Sequence, residues 1–340
     1  MRIVAVLLAL LLLPLSAGAQ TSPPDTLKVL LNPTIIFELP LMVAIDKGFF
    51  TQQNLNVQVV IHAGSSQTII PTLARGDVDI ATISPNPGFF NQFSQGFDAK
   101  LIAATVAGHE GWNPAVWLVE RQSDWDAKTI RAPRDLRGKH IDAATPGSEG
   151  WYLVRHLLTD AALTPDDMTF TARFSIPPDW ILSLKNVNDV QAVYEPTATQ
   201  LEQQHLGHRW LSITDVDPQY QESFLAASAK TLKTRPDVIR RFLTGFVKAQ
   251  KLIVDAHGKW TPELVSIFAK YSGLPPAVIQ AIPTPPYTGE FGAIHALELE
   301  KIQRFWHTYG LVQTEQPIGA LADPSFIAAA QKAAGVVPHY

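Results

Sequence analysis

Four short loops carry the residue types that can hold a small guest: Ile35 to Glu38, Gly64-Ser65-Ser66, Ser84-Pro85-Asn86 and Thr145-Pro146-Gly147-Ser148. Each precedes a stretch with helical spacing. A loop that enters a helix presents unpaired backbone N–H groups and the positive end of the helix dipole, so it can receive a polar or anionic group without a buried lysine or arginine. Gly147 and Ser148 are the foremost contacts on this reading, with Gly64, Ser65, Ser66, Ser84 and Asn86 beside them; the competing use of a serine or asparagine here is a plain N-cap. Phe37, Trp112, Trp151, Trp180 and Tyr287 lie next to these loops and could wall a pocket, although most aromatic side chains are simply core. Glu38, if it faces the guest, favours an amine or ring N–H and opposes a bare anion; its other use is to compensate a helix dipole. Glu195 either touches the guest or braces a chain crossing.

Catalysis finds little support in the same residues. The ten histidines are scattered, and the close pair His205 and His208 has no third ligand in its pattern. Pro146 takes the first glycine position that a nucleophile elbow around Ser148 would need. The chain has no cysteine, which excludes thiolate nucleophiles and cysteine-held zinc or iron–sulfur sites. No catalytic residue, metal or cofactor is expected.

The elements that must position the loops alternate between strand and helix. Leu27 to Leu31 reads as a strand, Leu39 to Lys47 as a helix stopped by Gly48, and Asn54 to Ile61 as a strand of period two. Thr68 to Arg75 is a second helix and Val78 to Ile83 a buried strand. Asn86 and Pro87 open a third helix, and Leu101 to Val106 is again a strand. The plan restarts with a strand at Lys139 to Ala144, a helix at Glu149 to Asp160 and a strand at Met168 to Phe174. Leu184 to Val193 echoes Leu73 to Ala81. After Ile213 the pattern turns helical, over Arg235 to Asp255, Glu263 to Tyr271 and Ala296 to Tyr309. This implies two α/β lobes of similar plan, each a mixed, mostly parallel sheet flanked by helices.

Composition bounds the setting. With 340 residues, 46% of them hydrophobic and 17% charged, the chain can bury a large core, and disorder is disfavoured. A net charge of −4 without a basic run leaves nothing to neutralise a nucleic-acid backbone. Arg2, the apolar run Ile3 to Leu13, Pro14 and Ala17-Gly18-Ala19 form the pattern of a secretory signal peptide, with cleavage expected after Ala19. No later segment approaches the length of a membrane span. An exported chain without cysteine cannot be a lipoprotein, so a free periplasmic protein is expected.

Met42-Val43-Ala44-Ile45-Asp46-Lys47-Gly48-Phe49-Phe50, followed by Asn54-Leu55-Asn56-Val57, resembles the opening of the solute-binding proteins for nitrate, sulfonates, taurine and thiamine-precursor pyrimidines. Leu73 to Ala81, Asp135-Leu136-Arg137-Gly138-Lys139-His140-Ile141 and Val193-Tyr194-Glu195-Pro196 resemble later stretches of the same family, in order, over roughly residues 27–275. The resemblance implies a two-lobed periplasmic-binding-protein clamshell of type II. Residues 1–19 are then the signal peptide, 25–112 the first part of lobe 1, 113–212 lobe 2, and 213–340 the return to lobe 1 with C-terminal helices. It also implies a small organic solute caught between the lobes and delivered, by a monomer, to the permease and ATPase of an ABC importer. A sensory module feeding a membrane receptor, or an exported enzyme on the same scaffold, are the alternatives. The pyrimidine-forming enzymes among the fold relatives use a cysteine-bearing motif that this chain lacks.

Overall fold

The computed structural model describes residues 22–62, 66–94, 99–107, 114–144, 146–171, 177–283 and 290–338. Apolar residues recur at Leu27, Val29 and Leu31 along β1 (Asp25–Leu31) and are buried there, so this strand sits inside its sheet. The other strands are β2 (Leu55–Ile61), β3 (Ile80–Ile83), β4 (Ala99–Ala107), β5 (Val116–Arg121), β6 (His140–Asp142), β7 (Thr169–Phe170), β8 (Val190–Tyr194), β9 (Gly207–Ser212) and β10 (Gln221–Ser228).

They form two five-stranded sheets, ordered β2-β1-β3-β10-β4 and β7-β6-β8-β5-β9. In the first, β1 is parallel to β2 and β3, while β10 runs antiparallel to both β3 and β4. The second repeats the scheme, with β6 parallel to β7 and β8, and β5 antiparallel to β8 and β9. In each sheet four strands share one direction, and the odd strand is the one the chain enters after crossing from the other sheet. Helical crossovers make the parallel pairings possible: Leu39–Asp46 joins β1 to β2, Ser66–Ala74 joins β2 to β3, and Pro87–Ser94 joins β3 to β4.

β10 corrects the expectation of helix throughout the region after Ile213. All eight of its residues are buried, so no alternation marks it, and Gln221, Glu222 and Ser223 give it a polar look. The expected long helices follow at Pro236–Asp255, Pro262–Ser272 and Ala296–Thr308. The core of the first lobe takes in Phe242 and Phe246 of the Pro236–Asp255 helix, with Phe242 stacked on Phe50 at 4.6 Å. A smaller core under the second sheet holds Leu118, Ile141, Leu153 and Val190. Among the described residues no helix is long and apolar enough to cross a membrane.

Candidate functional site

The strand directions bring the carboxyl ends of β1 and β3 in one sheet and of β6 and β8 in the other towards each other. From β1 the chain passes through a single 3-10 turn, Ile36–Glu38, into the Leu39–Asp46 helix, of which Glu38 is the N-cap. Glu38 is buried and accepts a hydrogen bond from the Thr82 hydroxyl at 3.0 Å. Burial pushes its pKa up to about 8, against the opposing effect of Thr82 and of an Asn32 backbone donor. Ser84 follows Thr82 by two residues and so leaves β3 on the same side. Asn86 caps the Pro87–Ser94 helix by accepting the Phe89 N–H at 3.0 Å.

On the second lobe, β6 leads to Gly147 at φ +93° and then to Ser148. The Ser148 hydroxyl accepts the Trp151 N–H and donates to the Ala143 carbonyl, each at 3.2 Å, so it caps the Glu149–Asp160 helix. Glu149, the first residue of that helix, accepts the Tyr194 hydroxyl at 2.6 Å, and the Ser84 hydroxyl approaches it from the first lobe. Burial raises its pKa. Glu222 on β10 completes the group: its carboxyl accepts the Ala115 N–H at 3.4 Å, and burial, followed by the Glu149 charge, pushes its pKa up to about 8. Tyr194 and Tyr220 sit in the field of both carboxyls, which together with burial drives their own pKa values up.

The two lobes touch along this line. Phe37 meets the Tyr194 ring edge-on with centroids 6.0 Å apart. Beside this line, the Glu149–Asp160 helix leans on the Ala296–Thr308 helix: Tyr152 packs against Tyr220, Phe305 and Trp306 and donates to Asp217 at 2.7 Å. Trp306 in turn donates to the Pro85 carbonyl at 2.9 Å.

Of the residues singled out from sequence, Phe37, Glu38, Ser84 and Gly147 come together where the two lobes meet. Ser148 and Asn86 are there too, with their side chains engaged as caps. Trp151 lies against Trp306 and Tyr309, at 5.8 and 5.6 Å, with Arg155 over its ring, so it belongs to the lobe-to-lobe packing. Glu195 turns into the second lobe, where Thr199 and Arg209 donate to it at 2.8 and 3.1 Å. Gly64, Ser65, Trp112 and Tyr287, like the signal segment, lie outside the described residues. Ser66 opens its helix and Trp180 lies on the helix Pro177–Asn186. His208 stacks on Trp125 at 3.7 Å.

Glu149, Tyr194, Tyr220 and Glu222 were not singled out from sequence. Glu149 directly follows the Gly147-Ser148 pair, which was a usable signal, but an acidic residue in a first helical turn ordinarily answers the dipole. Glu222 was hidden with the rest of β10.

Two α/β lobes of one plan, with strand ends meeting between them, make this a two-lobed periplasmic-binding fold of type II. The chain belongs to the NMT1/THI5-like family, whose model matches residues 38–256. It is 23% identical over 254 residues to YtlA of Bacillus subtilis (strain 168), covering 73% of this chain and 72% of that one. Among solved structures it resembles the periplasmic nitrate-binding protein NrtA of Synechocystis PCC 6803 at 16% identity and a TM-score of 0.74, covering 91% of this chain and 89% of that one. It also resembles the alkanesulfonate-binding protein SsuA of Xanthomonas axonopodis pv. citri bound to MOPS, at 16% identity and a TM-score of 0.69, covering 88% and 99%. The fold is not confined to binding proteins: the desulfurization enzyme DSZB shares it at 16% identity and a TM-score of 0.66, over 91% of this chain and 99% of that one.

Proposed function

We propose that this chain is the periplasmic solute-binding component of an ABC import system, taking a small organic solute into the gap between its lobes and delivering it as a monomer to the permease and its ATPase. On this reading the lobes divide at about residues 112 and 212, and hinge motion about the two crossings opens and closes the gap. The observation that carries it is the meeting of both strand-end edges at Phe37 and Tyr194, where ligands of open α/β sheets settle. A guest that touches both lobes favours the closed form, because only contacts unavailable in the open form can shift that equilibrium. The named neighbours bind nitrate and alkanesulfonate; taurine and pyrimidine-like solutes are further candidates from the family.

The acceptor-rich lining speaks against a bare anion and for a solute that carries its own N–H donors. With no cysteine the chain cannot run thiol chemistry, and binding without turnover is the activity this reading expects. Titration calorimetry of the secreted chain with taurine, nitrate, an alkanesulfonate and an aminopyrimidine tests the reading. Saturable equimolar binding of one of them, with the compound recovered unchanged, supports it; recovery of a transformed compound favours an enzyme instead.

A further inference from the structure

We infer that Glu149 and Glu222 form a paired acceptor, one carboxyl from each lobe, that selects a small nitrogen base and receives its protonated amino or amidine-type group. The inference rests on the solute-capture reading above and names the class of solute. Both side chains are buried, at 5% and 0% exposure. In each, one oxygen is met and the other is not: Glu149 Oε1 and Glu222 Oε2 find no hydrogen-bond partner among the described residues. A buried acceptor left unmet costs stability, and a donor placed between the lobes removes that cost.

The contrast with the other buried acids of this chain is informative. Glu195 is matched by Arg209, Asp217 by Lys301, and Glu120 is approached by Arg131. Among the described residues, the groups that act on Glu149 and Glu222 are instead hydroxyls, backbone N–H groups and, for Glu222, the Glu149 charge, with no lysine or arginine among them. Glu195, Asp217 and Glu120 thus each have a cation within reach, and among the described residues this pair has none. Tyr194 and Tyr220 share the pair's field. A nitrate or a sulfonate without an amine brings no N–H donor to the two unmet oxygens.

Thermal-shift and calorimetric titration of the secreted chain with matched probes tests this: taurine against isethionate, cytosine against uracil, benzylamine against benzyl alcohol, and nitrate alone. Stabilisation is expected from amino members only. In Glu222→Gln, binding of the responding amine should fall by roughly thirtyfold or more, the ordinary consequence of losing one buried charged partner. That variant should stay folded, because it removes a buried ionisable group; Glu149→Gln provides the second arm from the other lobe. A response to nitrate or isethionate above the amines overturns the inference and leaves solute capture standing. Amine binding unchanged in both variants overturns it as well. No response to any probe goes against solute capture itself, and the inference falls with it.

Discussion

Gly147 and Pro87 face each other across the lobes so closely that a Cβ on Gly147 would lie 2.7 Å from Pro87 Cδ and 2.8 Å from its Cγ. Glycine is required twice over, since φ there is +93°, which costs an L side chain about 1–3 kcal/mol. Separating the lobes relieves the clash with Pro87 but leaves the backbone strain. Gly147→Ala should therefore populate a more open form: X-ray scattering in solution should give a larger radius of gyration, and solute affinity should fall. Adding Pro87→Ala should recover part of the affinity. Scattering and affinity identical to the parent would contradict this closeness.

Burial of Glu222 and Glu38 makes stability depend on pH in a definite direction. Both pKa values rise from the ordinary 4.5 to about 8, so between these limits the folded chain holds protons that the unfolded chain has lost. Their contribution is fully present below about 4.5 and declines as pH rises through about 8. Urea unfolding at a series of pH values should show this decline, and Glu222→Gln should shrink it by about 2 kcal/mol or more. An equal decline in parent and variant would contradict the burial of an ionisable Glu222.

Tyr194 meets the first lobe through its ring on Phe37 and holds Glu149 of its own lobe through its hydroxyl. Tyr194→Phe keeps the ring contact and takes a donor from a buried carboxyl, which should cost about 1–3 kcal/mol. In a double-mutant cycle with Glu149→Gln the two changes should be non-additive by about 0.5–3 kcal/mol. Additive losses would show that the hydroxyl and the carboxyl do not act as a pair.

Export makes a prediction of its own. Intact-mass measurement of the chain collected from the periplasm should give a product that starts at Gln20, as Ala17-Gly18-Ala19 implies. Retention of Met1 would remove the basis for a periplasmic role.

The parts of the fold that the sequence displays are those with a clear period or a strong boundary residue. Helix Glu149–Asp160 falls on its expected limits because Ser148 caps it and apolar residues repeat along one face. Asn86 and Pro87 likewise announce the Pro87–Ser94 helix, and β2 alternates openly. β10 carried no such mark, since a strand covered on both faces loses its alternation. At the site, loop residues such as Gly147 were visible because few roles need glycine before a helix. Glu149 and Glu222 became candidates only when the topology joined a helix start in one lobe to an antiparallel strand in the other. Glu195 shows the converse. A conspicuous acid beside Pro196 turned inward, because Arg209 of β9 lies within reach.

Native mass spectrometry of the chain isolated from the cells that export it tests most directly whether the gap between the lobes holds a solute. The folded chain should carry one equivalent of a small compound that is released on unfolding and that is absent when Gly147→Trp fills the approach to Pro87. A folded parent chain that never carries such a compound, or a Gly147→Trp variant that carries it as fully as the parent, would contradict the account.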